Sequence, residues 1–267
     1  MKMTGLMLAT GVAALVACSD GGPPSMTPVA VAVAASTVTP GAGASFASEV
    51  QTDGDGNTLI IDSVSVVLRK IKLENALCGD DDSTEADVGV MRSDSGEGEM
   101  EGDDDCPELR LGPMLVDLPL GDGTPEHQFT ASVPVGTYSS VLFQLHKPDG
   151  ENDTTFLAQH PEFAGVSIRV VGSYNGAPFV YTTGVTDVQR VHFSPPLVVG
   201  DPPTAFTLFV DLSGWFKAGA GLLIDPTTAM GDGANVVLVH LNIEHSFHAF
   251  QDEDHDGEDD HLEGGGH

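Results

Sequence analysis

Oxygen-bearing side chains recur at alternating positions in residues 252–263, close to the C-terminus. Carboxylates spaced in this way through a twelve-residue loop are ligands that proteins offer to Ca²⁺, and a glycine at the sixth place allows the sharp turn. Gly257 occupies that sixth place. The sequence therefore predicts a cation site whose ligands are Asp252, Asp254, Asp256, Glu258, Asp260 and Glu263.

Two features distinguish this segment from a helix–loop–helix calcium site of the EF-hand type. Asp259 stands where an apolar residue is usual, and the residues before 252 alternate like a strand. We therefore expect an irregular Asp-rich loop that binds calcium weakly, with a dissociation constant of roughly 0.1–1 mM. Two alternatives are open: a solvated acidic terminus, and capture of nickel or zinc by His255, His261 and His267.

Motifs that support catalysis are absent from the sequence, which contains no nucleophile elbow, paired zinc histidines, phosphate loop or dinucleotide fingerprint with the required spacing. We therefore predict that the protein is not an enzyme. His240, Glu244 and His248 would share one face of a strand predicted over residues 236–250. Side chains four residues apart on a strand are separated by about 13 Å, so these three predict a polar outer face rather than a metal site.

The N-terminal residues predict an export signal. An apolar run over residues 7–17 follows Lys2 and ends in Leu15-Val16-Ala17-Cys18. This pattern resembles the signal peptide of a bacterial lipoprotein, in which the cysteine becomes the lipidated first residue of the mature chain. The resemblance implies cleavage of residues 1–17, a lipid anchor on Cys18 and, because Ser19 rather than Asp follows, a place in the outer membrane of the cell envelope.

Two further cysteines, Cys78 and Cys106, remain once Cys18 is assigned to the lipid. In an oxidising compartment we expect them to pair as a disulfide, with two free thiols or a thiolate metal site as alternatives. Residues 79–105 between them are rich in Asp, Glu, Ser and Gly. They predict a mobile acidic loop whose two ends are joined by the expected disulfide.

The charge balance excludes several partners. The 267 residues include 40 Asp and Glu but only 10 Lys and Arg, which gives a formal net charge of -30. DNA, RNA and anionic lipid headgroups would be repelled. The remaining partners are the membrane through the lipid anchor and an unidentified protein or glycan.

The element pattern predicts an all-β protein. Residues 18–45 are rich in Gly, Pro, Ser, Thr, Ala and Val and predict a flexible tether, although Val29-Ala30-Val31-Ala32-Val33 could instead add an edge strand. Short alternating segments between turns over residues 46–250 predict an antiparallel β-sandwich. Residues 251–267 form an acidic, histidine-containing tail. One face of the first sandwich strand would bury Ile60, Val64, Val66 and Leu68.

Two resemblances bear on the sandwich. Residues 133–141 (VPVGTYSSV) resemble the motif that begins a central strand in transthyretin-like sandwiches, one group of which is an uncharacterised family of bacterial lipoproteins. This resemblance implies a transthyretin-like or immunoglobulin-like fold. The sandwich, the tether, the acidic loop and the cation motif together predict a surface or periplasmic binding or scaffold lipoprotein. Residues 163–176 and 206–216 are similar to a periplasmic copper-associated domain family, which implies a copper-binding protein as the alternative. Trp215, the only tryptophan, lies in that region, where we predict that it fills the core.

Overall fold

A computed structural model describes residues 25–36, 49–75, 108–109, 112–120, 125–200 and 204–263. Cys18, Cys78, Cys106, His267 and the acidic segment 79–105 lie outside the described residues. The signal peptide, the lipid anchor and the disulfide therefore stay predictions.

Twelve strands are formed by the described residues, with short helices between some of them. The strands are β1 (Met26–Ser36), β2 (Glu49–Thr52), β3 (Thr58–Asn75), β4 (Glu108–Leu109), β5 (Met114–Asp117), β6 (Glu126–Pro134), β7 (Gly136–Leu145), β8 (Ile168–Tyr174), β9 (Ala177–Thr183), β10 (Asp187–Val199), β11 (Thr204–Asp211) and β12 (Phe247–Gln251). The α-helices are α1 (Thr154–Gln159), α2 (Val236–Glu244) and α3 (Asp260–Glu263). Single 3₁₀ turns cover Pro161–Phe163, Leu212–Gly214, Gly219–Gly221 and Pro226–Ala229.

The strands form two sheets that pack together as a sandwich, so the predicted all-β fold is confirmed. The small sheet has the order β12-β11-β1-β6, and the large sheet has the order β10-β7-β3-β8-β9 with β2, β4 and β5 also paired to β3. Pairing among these strands is antiparallel except between β1 and β11, which are parallel. Aromatic rings join the sheets, with centroid distances of 5.1 Å for Phe143–Phe247 and 5.4 Å for Phe193–Phe206.

Trp215 lies in the core, as predicted, and is completely buried just after the 3₁₀ turn that follows β11. Its indole N–H has no hydrogen-bond partner within the described part of the chain. The side chain therefore acts through its buried apolar area.

The tether prediction is wrong for residues 26–36, because this segment is the β1 strand inside the small sheet. β1 pairs with β11 on one side and β6 on the other, so the alternative of an edge strand is also wrong. Val29, Val31 and Val33 enter the core, while Ala32 and Ala34 are buried on the opposite face. The alternation of valine and alanine is typical of a strand that is buried on both faces. Valine fills the face towards the core, and the smaller alanine fits the face away from it.

The strand predicted over residues 236–250 is also wrong in its first part, which is the helix α2. Val239 and Ile243 are buried four residues apart on one side of α2, as helical spacing requires. The Asn242 amide donates to the carbonyls of Gly214, Trp215 and Lys217 at 2.9, 3.2 and 2.9 Å. These tertiary contacts overcome the strand propensity of a segment rich in valine and isoleucine. No helix among the described residues is long and apolar enough to span a membrane.

Two strands differ in detail from their predicted form. The pairing of β3 with β8 shifts register between Ile61 and Ser63, so Leu59 and Ile61 are buried before the shift and Ile60 is not. The predicted inward position of Ile60 is therefore wrong, while Val64, Val66 and Leu68 are buried as predicted. The β10 strand continues through Pro195 and Pro196 because it lies at a sheet edge, where a missing N–H is tolerated.

Truncating Val31 to alanine tests the position of β1. Val31 is buried in the core, so Val31→Ala should lower the free energy of unfolding by about 2 kcal/mol, through lost burial and a residual cavity. The exposed Val50 in β2 provides the control, and Val50→Ala should change stability by less than about 0.5 kcal/mol. Urea denaturation measures both, and equal effects would mean that residues 26–36 are a tether after all.

Candidate functional site

The predicted cation loop lies between β12 and α3. The N–H of Asp252 donates to the carbonyl of Ala205 at 3.2 Å, so the first candidate ligand directly follows the ladder between β12 and β11. The helix α3 begins at Asp260, the ninth place of the loop. The element before the loop is a strand, which confirms that the site is not a helix–loop–helix.

Three of the six predicted ligands converge. One carboxylate oxygen from each of Asp252, Asp254 and Asp256 lies within 4.8 Å of the other two. Asp252 is buried, and the other two carboxylates are exposed to solvent. This set, here called the Asp triad, is the only group of three or more potential metal ligands among the described residues that meets this distance.

The other predicted ligands have different positions. Asp260 closes the loop, because its Oδ2 accepts the N–H of Glu253 at 2.8 Å. Glu258 is not a member of the Asp triad, although its N–H donates to Oδ1 of Asp256 at 2.8 Å. Glu263 is the last residue of α3, and its side chain lies outside the described part. The structure therefore offers a smaller carboxylate set than the sequence pattern predicts.

Asp252 is held in place from two directions. Its Oδ2 accepts the Thr207 hydroxyl at 2.6 Å, and its Oδ1 accepts the N–H of Asp256 at 3.1 Å. Thr207 is a fully buried residue of β11, on the face opposite its core residues Phe206 and Leu208. Burial raises the pKa of the Asp252 carboxyl, and the hydrogen bonds from Thr207 and from the loop N–H groups only partly oppose this.

The loop backbone turns at the position that the sequence predicts. Gly257 has a φ of 87°, in the left-handed region that favours glycine, and His255 has a φ of 61°. Gly257 is also buried, so the turn is folded against the protein. This turn directs Asp256 back towards Asp252.

Burial is the stronger influence on the pKa of Asp252, and the charge of His255 only partly opposes the rise. The ion pairs His146–Asp153, Arg190–Glu74 and His261–Asp259 do not include a member of the Asp triad. Carboxylates this close repel one another, and a divalent cation between them would remove that repulsion while satisfying their oxygens. The oxygen-only donor set fits a hard cation such as Ca²⁺.

Comparisons with family models, curated proteins and solved structures find no match for this chain. Its function is therefore inferred from the geometry of its own residues.

A second Asp-rich turn, Asp53-Gly54-Asp55-Gly56-Asn57, shows what distinguishes a structural carboxylate. Asp53 accepts the N–H groups of Asp55 and Asn57 at 3.0 and 2.8 Å, the Asn57 amide at 2.9 Å and the N–H of Leu223 at 3.0 Å. These donors, led by the Asn57 side chain, lower the pKa of Asp53 to about 2. The oxygens of Asp53 already have protein donors, so this turn is explained by its own hydrogen bonds.

Among the described residues, the histidines near the C-terminus do not form a shared metal site; His267, the third member of the nickel or zinc alternative, lies outside the described residues. His240 lies on α2, where its Nε2 is 2.7 Å from the Thr183 hydroxyl, and burial lowers the pKa of its ring. Glu244 is four residues further along α2, whereas His248 is an exposed residue of β12 beside the ring of Phe209. The shared strand face predicted for His240, Glu244 and His248 is therefore wrong. The Nδ1 of His261 contacts Asp259 at 3.2 Å, and neither His255 nor His261 joins the Asp triad.

Sequence reasoning missed one buried histidine–aspartate pair. The Nε2 of His146 lies 2.8 Å from Oδ2 of Asp153, and both residues are buried. The same Oδ2 accepts the N–H of Asp149 at 2.9 Å, which ties the loop after β7 to the start of α1. This pair closes the 146–153 loop. The Asp149-Gly150 turn is the one part of the arrangement that the sequence indicates.

The buried charge of Asp252 predicts how stability depends on pH when calcium is removed by a chelator. Because its folded pKa is raised above the ordinary value of 3.8, protonation of Asp252 favours the folded state, and this contribution is lost as the pH rises through the folded pKa. Asp252→Asn keeps the shape without the charge: its amide oxygen accepts the N–H of Asp256, and its NH2 donates to the Thr207 hydroxyl oxygen, which reverses that hydrogen bond. We expect it to raise the urea midpoint at neutral pH and to lose that advantage below pH 3.8.

The exposed Asp55→Asn is the control for this measurement and should leave the urea midpoint unchanged at both pH values. A lower midpoint for Asp252→Asn at neutral pH in chelator would show that the ionised carboxylate stabilises the empty loop, contrary to the prediction.

Proposed function

We propose that this chain is a lipid-anchored binding or scaffold protein of the cell envelope whose C-terminal loop binds calcium weakly. The observation that carries the proposal is the convergence of Asp252, Asp254 and Asp256 around one point, with Asp252 buried. The predicted anchor is Cys18, and the sandwich is the part of the protein that the anchor holds at the membrane.

The geometry of the loop supports calcium rather than a transition metal. The Asp triad offers only carboxylate oxygens, and the neighbouring His255 and His261 are not part of it. Hard oxygen ligands favour Ca²⁺, whereas nickel, zinc and copper favour sites with imidazole or sulfur. The exposure of Asp254 and Asp256 leaves room for water to complete the coordination, and few protein ligands mean weak binding.

Binding rather than catalysis is proposed because neither the His146–Asp153 pair nor the Asp triad has the arrangement of a reacting pair. The buried His146–Asp153 pair is closed off from solvent, and the Asp triad is a set of like charges on a surface loop. Acid and base catalysis needs a donor and an acceptor that a substrate can reach. Neither group offers that combination.

Calcium titration by calorimetry tests the site directly. The wild-type chain should bind one Ca²⁺ with a dissociation constant of roughly 0.1–1 mM, and the variant Asp252→Ala, Asp254→Ala, Asp256→Ala should show no saturable heat. The control variant Asp55→Ala, Glu151→Ala, Asp232→Ala removes the same charge from exposed positions elsewhere and should bind as the wild type does. Equal heats from the two triple variants would mean diffuse attraction of counterions, which contradicts a site.

Replacement of Cys18 tests the anchor. Produced in cells that process lipoproteins, the wild-type chain should sediment with the membranes, whereas Cys18→Ala should leave the membrane fraction because the acyl chains are lost. Cys78→Ala removes a different cysteine and should still sediment. Membrane retention of Cys18→Ala would exclude lipidation as the means of attachment.

A further inference from the structure

Three large apolar side chains are exposed at one end of the sandwich. Met26 begins β1, Val135 lies between β6 and β7, and Val198 lies near the end of β10; they are 55%, 51% and 59% exposed. Single exposed apolar residues are ordinary on a protein surface, whereas a group of them at one place indicates a contact surface.

The strand pairing brings these three residues to the same end. The N–H of Val135 donates to the carbonyl of Ser25 at 2.9 Å, next to Met26. Val198 stands opposite Thr137, two residues after Val135. The carbonyl of Val198 accepts the Thr204 hydroxyl at 3.0 Å, and Thr204 begins β11. We call this surface of Met26, Val135 and Val198 the anchor end.

The chain between the anchor end and Cys18 is short. Only six residues separate Cys18 from Ser25, because the structure places residues 26–36 in β1 instead of a tether. Fully extended, seven residue steps span at most about 25 Å. A lipid on Cys18 therefore keeps the anchor end within that distance of the bilayer.

We propose that the anchor end rests on the bilayer, with Met26, Val135 and Val198 in contact with the headgroup and upper acyl region. The inference depends on the proposed lipidation of Cys18, which selects the bilayer among possible occupants of this surface. Apolar side chains that reach the boundary between headgroups and acyl chains gain by leaving water.

The charge of the protein selects the type of lipid. The net charge of -30 opposes an anionic surface, and the N–H of Asp252 bonds to Ala205, next to Thr204, so the acidic loop starts from this same end. The lipid surface expected to contact the anchor end is therefore zwitterionic, such as phosphatidylcholine or phosphatidylethanolamine.

The helix α2 also exposes three apolar residues, Val237, Leu238 and Leu241, and it provides the comparison site at the other end of β11. β11 ends at Asp211, and α2 is bonded through Asn242 to the carbonyls of Gly214, Trp215 and Lys217 just beyond it. Val237 on α2 is 70% exposed. The length of β1 separates the two ends by about 33 Å, so Val237 should not touch the bilayer when the anchor end does.

Tryptophan fluorescence with a quencher in the lipid tests the proposal. The only native tryptophan, Trp215, is buried, so a tryptophan introduced at an exposed position reports its own surroundings. The full lipidated chain carrying Val135→Trp or Val237→Trp is reconstituted in phosphatidylcholine vesicles with or without brominated acyl chains. We expect brominated lipid to reduce the emission of the Val135→Trp tryptophan about twofold and to leave Val237→Trp unchanged.

Val198→Trp gives a second, independent variant at the anchor end and should be quenched as Val135→Trp is. Flotation of the wild-type chain with the vesicles separates the two proposals. If the wild type fails to float, the lipid anchor is absent, and both the proposed anchor and the proposed bilayer contact are wrong. If it floats but neither anchor-end variant is quenched more than Val237→Trp, the anchor stands and the bilayer contact is overturned.

Discussion

The parallel ladder between β1 and β11 is the interaction on which the rest of the molecule depends. It pairs Val29 with Thr204 and Ser36 with Asp211, so both strands run in the same direction between the same two ends. With β12 on its other side, β11 becomes a strand buried along almost its whole length. That burial encloses Thr207, and Thr207 in turn holds Asp252, so the geometry of the acidic loop originates in strand pairing.

A buried carboxylate in an acidic cluster opposes folding unless something compensates its charge. At Asp252 the compensation from the protein is incomplete: one hydroxyl and loop N–H groups act on a carboxyl whose pKa remains raised. Asp53 shows the opposite balance, with several donors and a lowered pKa. The two turns have similar composition but differ in the burial of the carboxylate. Desolvation of the buried Asp252 outweighs its donors, whereas the donors dominate at the less buried Asp53, and this balance separates the candidate cation site from the structural turn.

Sequence patterns predicted the sandwich, most of its strands and the Asp triad, because alternation and ligand spacing are local properties. They failed where tertiary contacts decide. The composition of residues 18–45 predicted a tether, and the strand-like run Val29 to Val33 does not itself show that β11 and β6 pair with both of its edges. The α2 segment resembled a strand because the carbonyls that accept from Asn242 belong to residues outside the segment. Ile60 was misplaced by a register shift, which changes the buried face without changing the composition. Thr207 and the His146–Asp153 pair had no local signal, since their roles arise only from packing.

The position of β1 also has a mechanical consequence. Under the proposed lipidation of Cys18, a force that pulls the domain or α2 away from the membrane would load β1 along its own axis. The hydrogen bonds of β1 to β11 and β6 run across that axis, so they share the load together instead of opening one after another from an end. A strand held on both sides in this shear geometry resists extraction far better than a hairpin peeled from a sheet edge. In the proposed lipoprotein, the N-terminal strand would thus be the force-bearing connection between the sandwich and the membrane.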